Sequence, residues 1–179
     1  MKKLLVVVDY QKDFVDGALG FPGAESLDEG ISNKIARYRE GGHDVAFTFD
    51  THDESYLDTQ EGRRLPIAHC GRNSGGWELF GKTAGFLTPD SRIFHKNAFG
   101  SLELGAFIRE SSYDEIELVG LVSNMCVLSN AVIAKAADPE ARIVIDASCT
   151  ASFDDDINEK ALDIMESLQM DVINRKEAS

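Results

Sequence analysis

Short apolar strands alternating with helical segments predict an α/β fold, a parallel sheet wrapped by helices on both faces with right-handed crossovers. Three features of the 179-residue chain carry that expectation: a continuous apolar run at Leu4–Val8, a largely apolar run at Ile116–Val122 interrupted by Glu117, and helical periodicity between strand-like runs. With 43% hydrophobic and 27% charged residues, the sequence fits a single domain, 1–179, large enough to bury a core without staples.

Leu4–Val8 reads as a central strand because its run is unbroken and β-branched, and it ends at Asp9. Leu27, Ile31, Ile35 and Tyr38 recur at helical spacing, and Gly41-Gly42 supply the stop. A strand, Asp44–Phe49, follows at once. The stretch from Asp50 to Thr88 is rich in glycine and charge and far longer than an ordinary connection, the kind of loop that is functional or disordered. A short strand at Arg92–His95 precedes Lys96, then come a helix at Leu102–Arg109 and a strand at Glu115–Gly120. The next helix begins near Met125 and carries Cys126; Val127, Ala131 and Ala134 suit close packing on a sheet, and Asp138-Pro139 ends it. A strand at Arg142–Asp146, a helix at Asp156–Leu168 and an edge strand at Asp171–Asn174 complete the chain. The acidic run Asp154–Asp156 reads as a helix cap and first turn.

A net charge of −13 and the lack of any Lys/Arg block argue against nucleic acid or an anionic membrane as partners. No stretch reaches the length of a membrane span. Three cysteines without a signal peptide point to free thiols and a cytoplasmic location.

In an open parallel sheet, ligands bind beyond the carboxyl ends of the strands. That rule selects Asp9, Asp50, His52, Lys96 and Cys126 for one crevice. Cys126 lies at a strand-to-helix turn, where free N–H groups and the helix dipole are expected to lower a thiol pKa and favour a nucleophilic thiolate. Its bland alternative is a buried cysteine acting as a small hydrophobe. Asp9 and Lys96 together supply a proton acceptor and a cation for such a nucleophile, or else a structural ion pair.

Asp50 and His52 stand at i and i+2, on one side of an extended segment, with Glu61 and His69 further along the same loop. Two imidazoles and two carboxylates suit a divalent metal such as zinc, iron or manganese; two solvated loop histidines are the alternative. Cys70 is a second choice of ligand, whereas His43, His95 and Cys149 read as structural. Phe14, Leu65, Trp77, Phe94 and Phe99 fall near these positions and suit an apolar pocket for a flat substrate, though core packing explains most aromatics equally well.

The segment Asp9-Tyr10-Gln11-Lys12-Asp13-Phe14, then Asp50-Thr51-His52, Lys96 and Ser123-Asn124-Met125-Cys126-Val127, resembles the isochorismatase-like cysteine hydrolases over almost the whole chain. The resemblance implies a three-layer α/β/α sandwich around a six-stranded parallel, Rossmann-like sheet. It also implies a Cys126, Asp9, Lys96 triad, a cis peptide between Leu121 and Val122, and an oxyanion hole from the N–H groups of Val122 and Cys126. Within that group the Asp-x-His pair with a downstream Glu61 and His69 looks most like the nicotinamidases, which release ammonia from nicotinamide. That likeness implies a divalent metal at Asp50, His52, Glu61 and His69 that orients the pyridine nitrogen, with Phe14, Leu65 and Phe99 flanking the ring. A homo-oligomer acting on a small-molecule amide is the corresponding expectation. Ser123-Asn124 departs from the Thr-Asp of many relatives but still permits helix capping. Hydrolysis of a ureido or carbamoyl compound, an isochorismatase and a catalytically silent metal-binding relative are the alternatives; Cys126 argues against the isochorismatase, whose chemistry needs no thiol.

Overall fold

Leu4 to Val8 have no solvent exposure, as a strand covered on both faces requires. The computed structural model describes residues 1–175. Six strands, β1 (Lys3–Val8), β2 (Asp44–Asp50), β3 (Arg92–Lys96), β4 (Glu115–Leu121), β5 (Arg142–Ala151) and β6 (Asp171–Ile173), form one sheet in the order β3-β2-β1-β4-β5-β6. All neighbouring pairs are parallel. The helices are α1 (Lys12–Val15), α2 (Asp28–Glu40), α3 (Gln60–Arg64), α4 (Gly81–Ala84), α5 (Leu102–Ser111), α6 (Leu128–Ala137) and α7 (Asp155–Ser167). None of the described helices is long and apolar enough to cross a membrane.

The period-2 alternation of each strand builds two cores. Leu4, Val6, Val8, Ile116 and Leu118 pack under α5, α6 and α7, whereas Leu5, Val7, Phe47, Val119 and Leu121 pack under α1 and α2. The result is the expected three-layer sandwich with a six-stranded parallel sheet.

The strand order reverses between β1 and β4, and Val8 paired with Gly120 is the last register step at that switch point. Gly120 has a φ of 110°, and a Cβ there would run into the Val8 carbonyl oxygen. Only glycine meets both conditions. Gly120→Ala is therefore expected to destabilise the protein by at least about 2 kcal/mol, combining a strained φ with overpacking. Urea unfolding checks this as a lowered midpoint at unchanged m.

Several boundaries differ from the sequence reading. β5 runs on to Ala151, where Thr150 and Ala151 pair with Gly120 and Leu121 beyond a register shift. Ala147–Thr150 are all small and lack the bulky apolar run that marks the first half of the strand. β6 stops at Ile173, and α2 starts at Asp28 after a 3-10 turn at Ala24–Leu27. The acidic run caps α7 as expected: Asp154 Oδ1 accepts the Ile157 N–H at 3.0 Å.

Away from the strand ends, Lys34 of α2 reaches Glu117 Oε1 and Asp146 Oδ2, both at 2.6 Å. Burial alone would raise the Asp146 carboxyl, but hydrogen bonds from Lys34 and Ser148 outweigh it and hold it below its ordinary 3.8. A carboxylate depressed by folding stabilises the native state above its unfolded pKa, and that contribution is lost as pH falls through the folded value. Asp146→Asn is thus expected to cost stability at neutral pH and to approach the wild type below about pH 4. Denaturant titrations across that range check it, and a deficit that persists unchanged in acid contradicts it.

Candidate active site

Asp9 follows β1 with a φ of 43°, a left-handed turn that breaks the strand just at the switch point. Its carboxylate is fully buried, accepts the Thr48 hydroxyl at 2.6 Å on Oδ1, and lies 2.6 Å from Lys96 Nζ on Oδ2. Lys96, the last residue of β3, also stands 3.4 Å from Asp50 Oδ1 and 3.5 Å from Cys126 Sγ. One ammonium thus touches two carboxylates and the thiol.

Cys126 lies in a π-helical turn, Ser123–Val127, that follows a cis peptide between Leu121 and Val122. The Val122 carbonyl accepts the N–H groups of Met125 and Val127, both at 3.2 Å, while the Val122 N–H has no acceptor among the described residues. Asn130 ties the turn down. Its Nδ2 donates to the carbonyls of Cys126 (2.8 Å) and Phe99 (3.1 Å), and its Oδ1 accepts the Ser101 N–H at 2.9 Å.

The electrostatics correct one expectation. Burial pushes the Cys126 thiol well above its ordinary 9.0; Lys96 opposes this, and the charges of Asp9 and Asp50 add to it. The dipole of a helix start does not prevail, because the thiol shares a desolvated site with two carboxylates. Burial also raises Asp9, with Lys96 offsetting it only in part. Burial would lower Lys96, but Asp9, Cys126 and Asp50 outweigh it and hold its proton. The resting site therefore pairs a neutral thiol and an ammonium with a carboxylate of enhanced proton affinity.

Asp50, His52 and His69 are all buried, and one ligand atom from each lies within 4.8 Å of the others. His52 Nε2 and His69 Nε2 stand 3.0 and 3.3 Å from the same Asp50 Oδ2. An isolated parallel bridge between His52 and Gly71 brings the distant His69 segment alongside. His69 Nδ1 bonds the Ile67 carbonyl at 2.8 Å, which leaves Nε2 facing the cluster, the outer-shell arrangement of a ligating histidine. Gln11 fixes the platform: its Nε2 donates to the carbonyls of Asp50 (2.9 Å) and Trp77 (2.8 Å), and its Oε1 accepts the Asp50 N–H at 2.8 Å. Two imidazoles and a carboxylate suit zinc, iron or manganese, so the residues fit a divalent ion. Glu61, expected as the fourth ligand, is not in this cluster. It sits in the first turn of the short α3, half-buried on the wall of the neighbouring cavity.

That cavity, of about 640 Å³, opens on His52 and Lys96. The apolar wall expected from Phe14, Leu65 and Phe99 does not line it. Phe14 is buried with its ring 5.6 Å from that of His69. Leu65 ends α3, where its carbonyl accepts the Tyr56 hydroxyl at 3.0 Å, and Phe99 is 45% exposed. Phe94 belongs to the core under α5. Instead the lining is polar and includes Tyr56, Arg72, His95 and Asn97. His95, expected to be structural, stacks on Trp77 at 5.6 Å and 16°, and the Trp77 Nε1–H donates to Thr51 Oγ1 at 2.9 Å.

Gln11, Thr48, Tyr56 and Asn130 were missed as supporting residues. The signal for Gln11 was a polar side chain three residues beyond a central strand's end; the other three act through contacts that spacing does not reveal.

A parallel sheet with reversed strand order, carrying a thiol, an ammonium and a carboxylate in contact beside a His₂Asp donor set, is a ligand-binding α/β fold with its site at the switch point. The isochorismatase domain matches residues 3–177, and the chain belongs to the isochorismatase family. It is 33% identical over 165 residues to an uncharacterized isochorismatase family protein of Bacillus subtilis, covering 86% of this chain and 88% of that protein. The solved nicotinamidase/pyrazinamidase of Bacillus subtilis superposes with a TM-score of 0.85 at 30% identity, covering 96% of this chain and 99% of that one. The pyrazinamidase of Pyrococcus horikoshii, solved in complex with zinc, shares the fold with a TM-score of 0.84 at 24% identity, over 98% and 100% of the two chains.

Proposed function

We propose that the protein is a cytoplasmic amidohydrolase that converts nicotinamide to nicotinate and ammonia through a thioester on Cys126. The observation that carries this reading is the Lys96 ammonium in contact with Asp9, Asp50 and the Cys126 sulfur. It joins a thiol and its proton acceptor to the metal-type donor set. Likeness to a nicotinamidase/pyrazinamidase at 30% identity supports the substrate. Three buried free cysteines suit a reducing compartment.

Asp9, whose proton affinity is raised by burial, takes the thiol proton as sulfur attacks the amide carbonyl. The carbon–sulfur bond forms, and the N–H groups of Val122 and Cys126 donate to the oxyanion. Collapse breaks the carbon–nitrogen bond, and the proton held on Asp9 leaves with ammonia. Asp9 then removes a proton from water, which attacks the thioester; the carbon–sulfur bond breaks, Asp9 returns that proton to the sulfur to restore the thiol, and the acid loses its remaining proton to solvent and departs as nicotinate. Lys96 stays protonated and keeps both carboxylates paired throughout. Asp50, His52 and His69 would hold a divalent ion, zinc first by donor type, which when bound would supply Lewis acidity to orient the ring.

Zinc-loaded protein is expected to release ammonia from nicotinamide, and chelation to reduce the rate by about 100-fold, the scale of losing substrate alignment, with zinc restoring it. Turnover indifferent to chelation contradicts the metal's role, and no turnover by zinc-loaded protein removes nicotinamide as substrate. The polar cavity lining favours one second reading, a ureido or carbamoyl compound as substrate. Faster turnover of such a compound than of nicotinamide selects it.

A further inference from the structure

A cavity of about 640 Å³ falls within the roughly 300–1,000 Å³ of sites that enclose drug-sized ligands, far more than one pyridine carboxamide fills. Beyond Thr51 and His52, it is lined by two stretches of chain. Residues 53–61 bring the carboxylates Asp53 and Glu61, whereas the other stretch, Arg72 with residues 95–98, brings no acid. Arg72 is anchored at its backbone, where its N–H donates to the His52 carbonyl at 2.9 Å beside the His52–Gly71 bridge.

The Arg72 guanidinium has no carboxylate partner and donates no hydrogen bond among the described residues. Arg72 is exposed, and what sets it apart from the other arginines that lack a carboxylate partner is its place on this cavity. Asp53 is committed to its own turn: its Oδ1 accepts the Ser55 N–H at 2.8 Å and the Ser55 hydroxyl at 2.6 Å. Arg72 and Lys96 are the Lys and Arg side chains that line the cavity, and Lys96 is committed to Asp9 and Asp50, so the Arg72 guanidinium is the one left to meet an anionic group of a ligand, on a cavity that Glu61 also lines.

We propose that Arg72, which lines the cavity together with His95 and Asn97, forms an anion subsite, and that primary carboxamides bearing a carboxylate beyond the reacting amide are favoured over neutral amides of the same length. The planar fork of Arg72 matches a carboxylate in bidentate geometry. This rests on the amide-hydrolase reading, and it places the charge-recognising contact on a cavity that Lys96 lines and Cys126 does not.

The test compares glutaramate with pentanamide, which replaces the carboxylate by a methyl group. Zinc-loaded wild type is expected to favour glutaramate by at least about tenfold in kcat/KM, mainly through KM, as one charged hydrogen-bonded pair allows. Arg72→Ala is expected to collapse that ratio towards one, and Arg72→Lys to keep part of it. Equal kcat/KM values in the wild type, or a ratio untouched by Arg72→Ala, overturn the proposal. A second arm separates it from the chemistry: calorimetric binding of both compounds to zinc-loaded Cys126→Ala protein. Glutaramate is expected to bind about tenfold tighter there, with the gap closing on adding Arg72→Ala. If neither amide is hydrolysed, the nicotinamide assay still tests the amide-hydrolase reading by itself, and the binding arm decides the subsite. No measurable glutaramate binding, or a gap that survives the loss of Arg72, overturns it.

Discussion

Cys126→Ala is expected to abolish ammonia release from nicotinamide, by about four orders of magnitude or more, because loss of a nucleophile removes the whole covalent route. The side chain is small and 5% exposed, and Lys96 keeps Asp9 and Asp50 as partners without it. The variant should therefore fold, with an unfolding midpoint near that of the wild type. Cys126→Ser is expected to be nearly as inactive. A buried hydroxyl is a far weaker acid than a thiol, and Asp9 is not basic enough to compensate. Circular dichroism with an ammonia assay on both variants separates lost chemistry from lost structure. Activity that survives Cys126→Ala rules out the thioester.

Lys96→Met should damage both stability and activity. The Lys96 side chain is 2% exposed and faces Asp9 Oδ2 at 2.6 Å and Asp50 Oδ1 at 3.4 Å. Without the ammonium, a fully buried Asp9 carboxylate has no cation beside it among the described residues. Removing one partner of a buried pair typically costs about 3–5 kcal/mol, since the other charge stays desolvated. Asp9 would then bind a proton in the folded state more readily than in the unfolded chain. A carboxyl raised by folding stabilises the native state at low pH and loses that contribution as pH rises. The deficit of Lys96→Met should accordingly be largest near neutral pH and shrink in acid, as urea titrations at several pH values will show. Turnover should fall by at least about 1,000-fold, because a protonated Asp9 cannot accept the thiol proton. A variant as stable as the wild type at neutral pH would mean that Lys96 does not hold the carboxylates together.

The sheet and the ends of its strands were readable because each apolar run stops at a chemically distinct residue. Leu4–Val8 gives way to Asp9, β2 ends at Asp50, and β3 ends at Lys96. Parallel topology sends all those ends to one edge, so the convergence of Asp9, Asp50, His52, Lys96 and Cys126 followed without knowing any distance. The thiol's acidity did not follow. It depends on how burial and three neighbouring charges balance, and the dipole argument considered only the local turn. The cavity wall was hidden for another reason. Arg72 and His95–Ala98 meet only in the folded chain, and aromatic residues near the site in sequence, such as Phe14 and Phe94, were absorbed into the cores. Glu61 shows the same limit: loop position brings it to the cavity wall, but it is not among the grouped ligand atoms of Asp50, His52 and His69.

The central claim is that Cys126 carries the acyl group. Zinc-loaded wild type turning over excess nicotinamide, quenched in acid within a few turnovers and digested for mass spectrometry, tests it directly. The expected result is a single nicotinoyl group on the peptide containing Cys126, gone once the substrate is exhausted. Continued ammonia release with Cys126 unmodified at every quench time, or an acyl group on another residue, would contradict it.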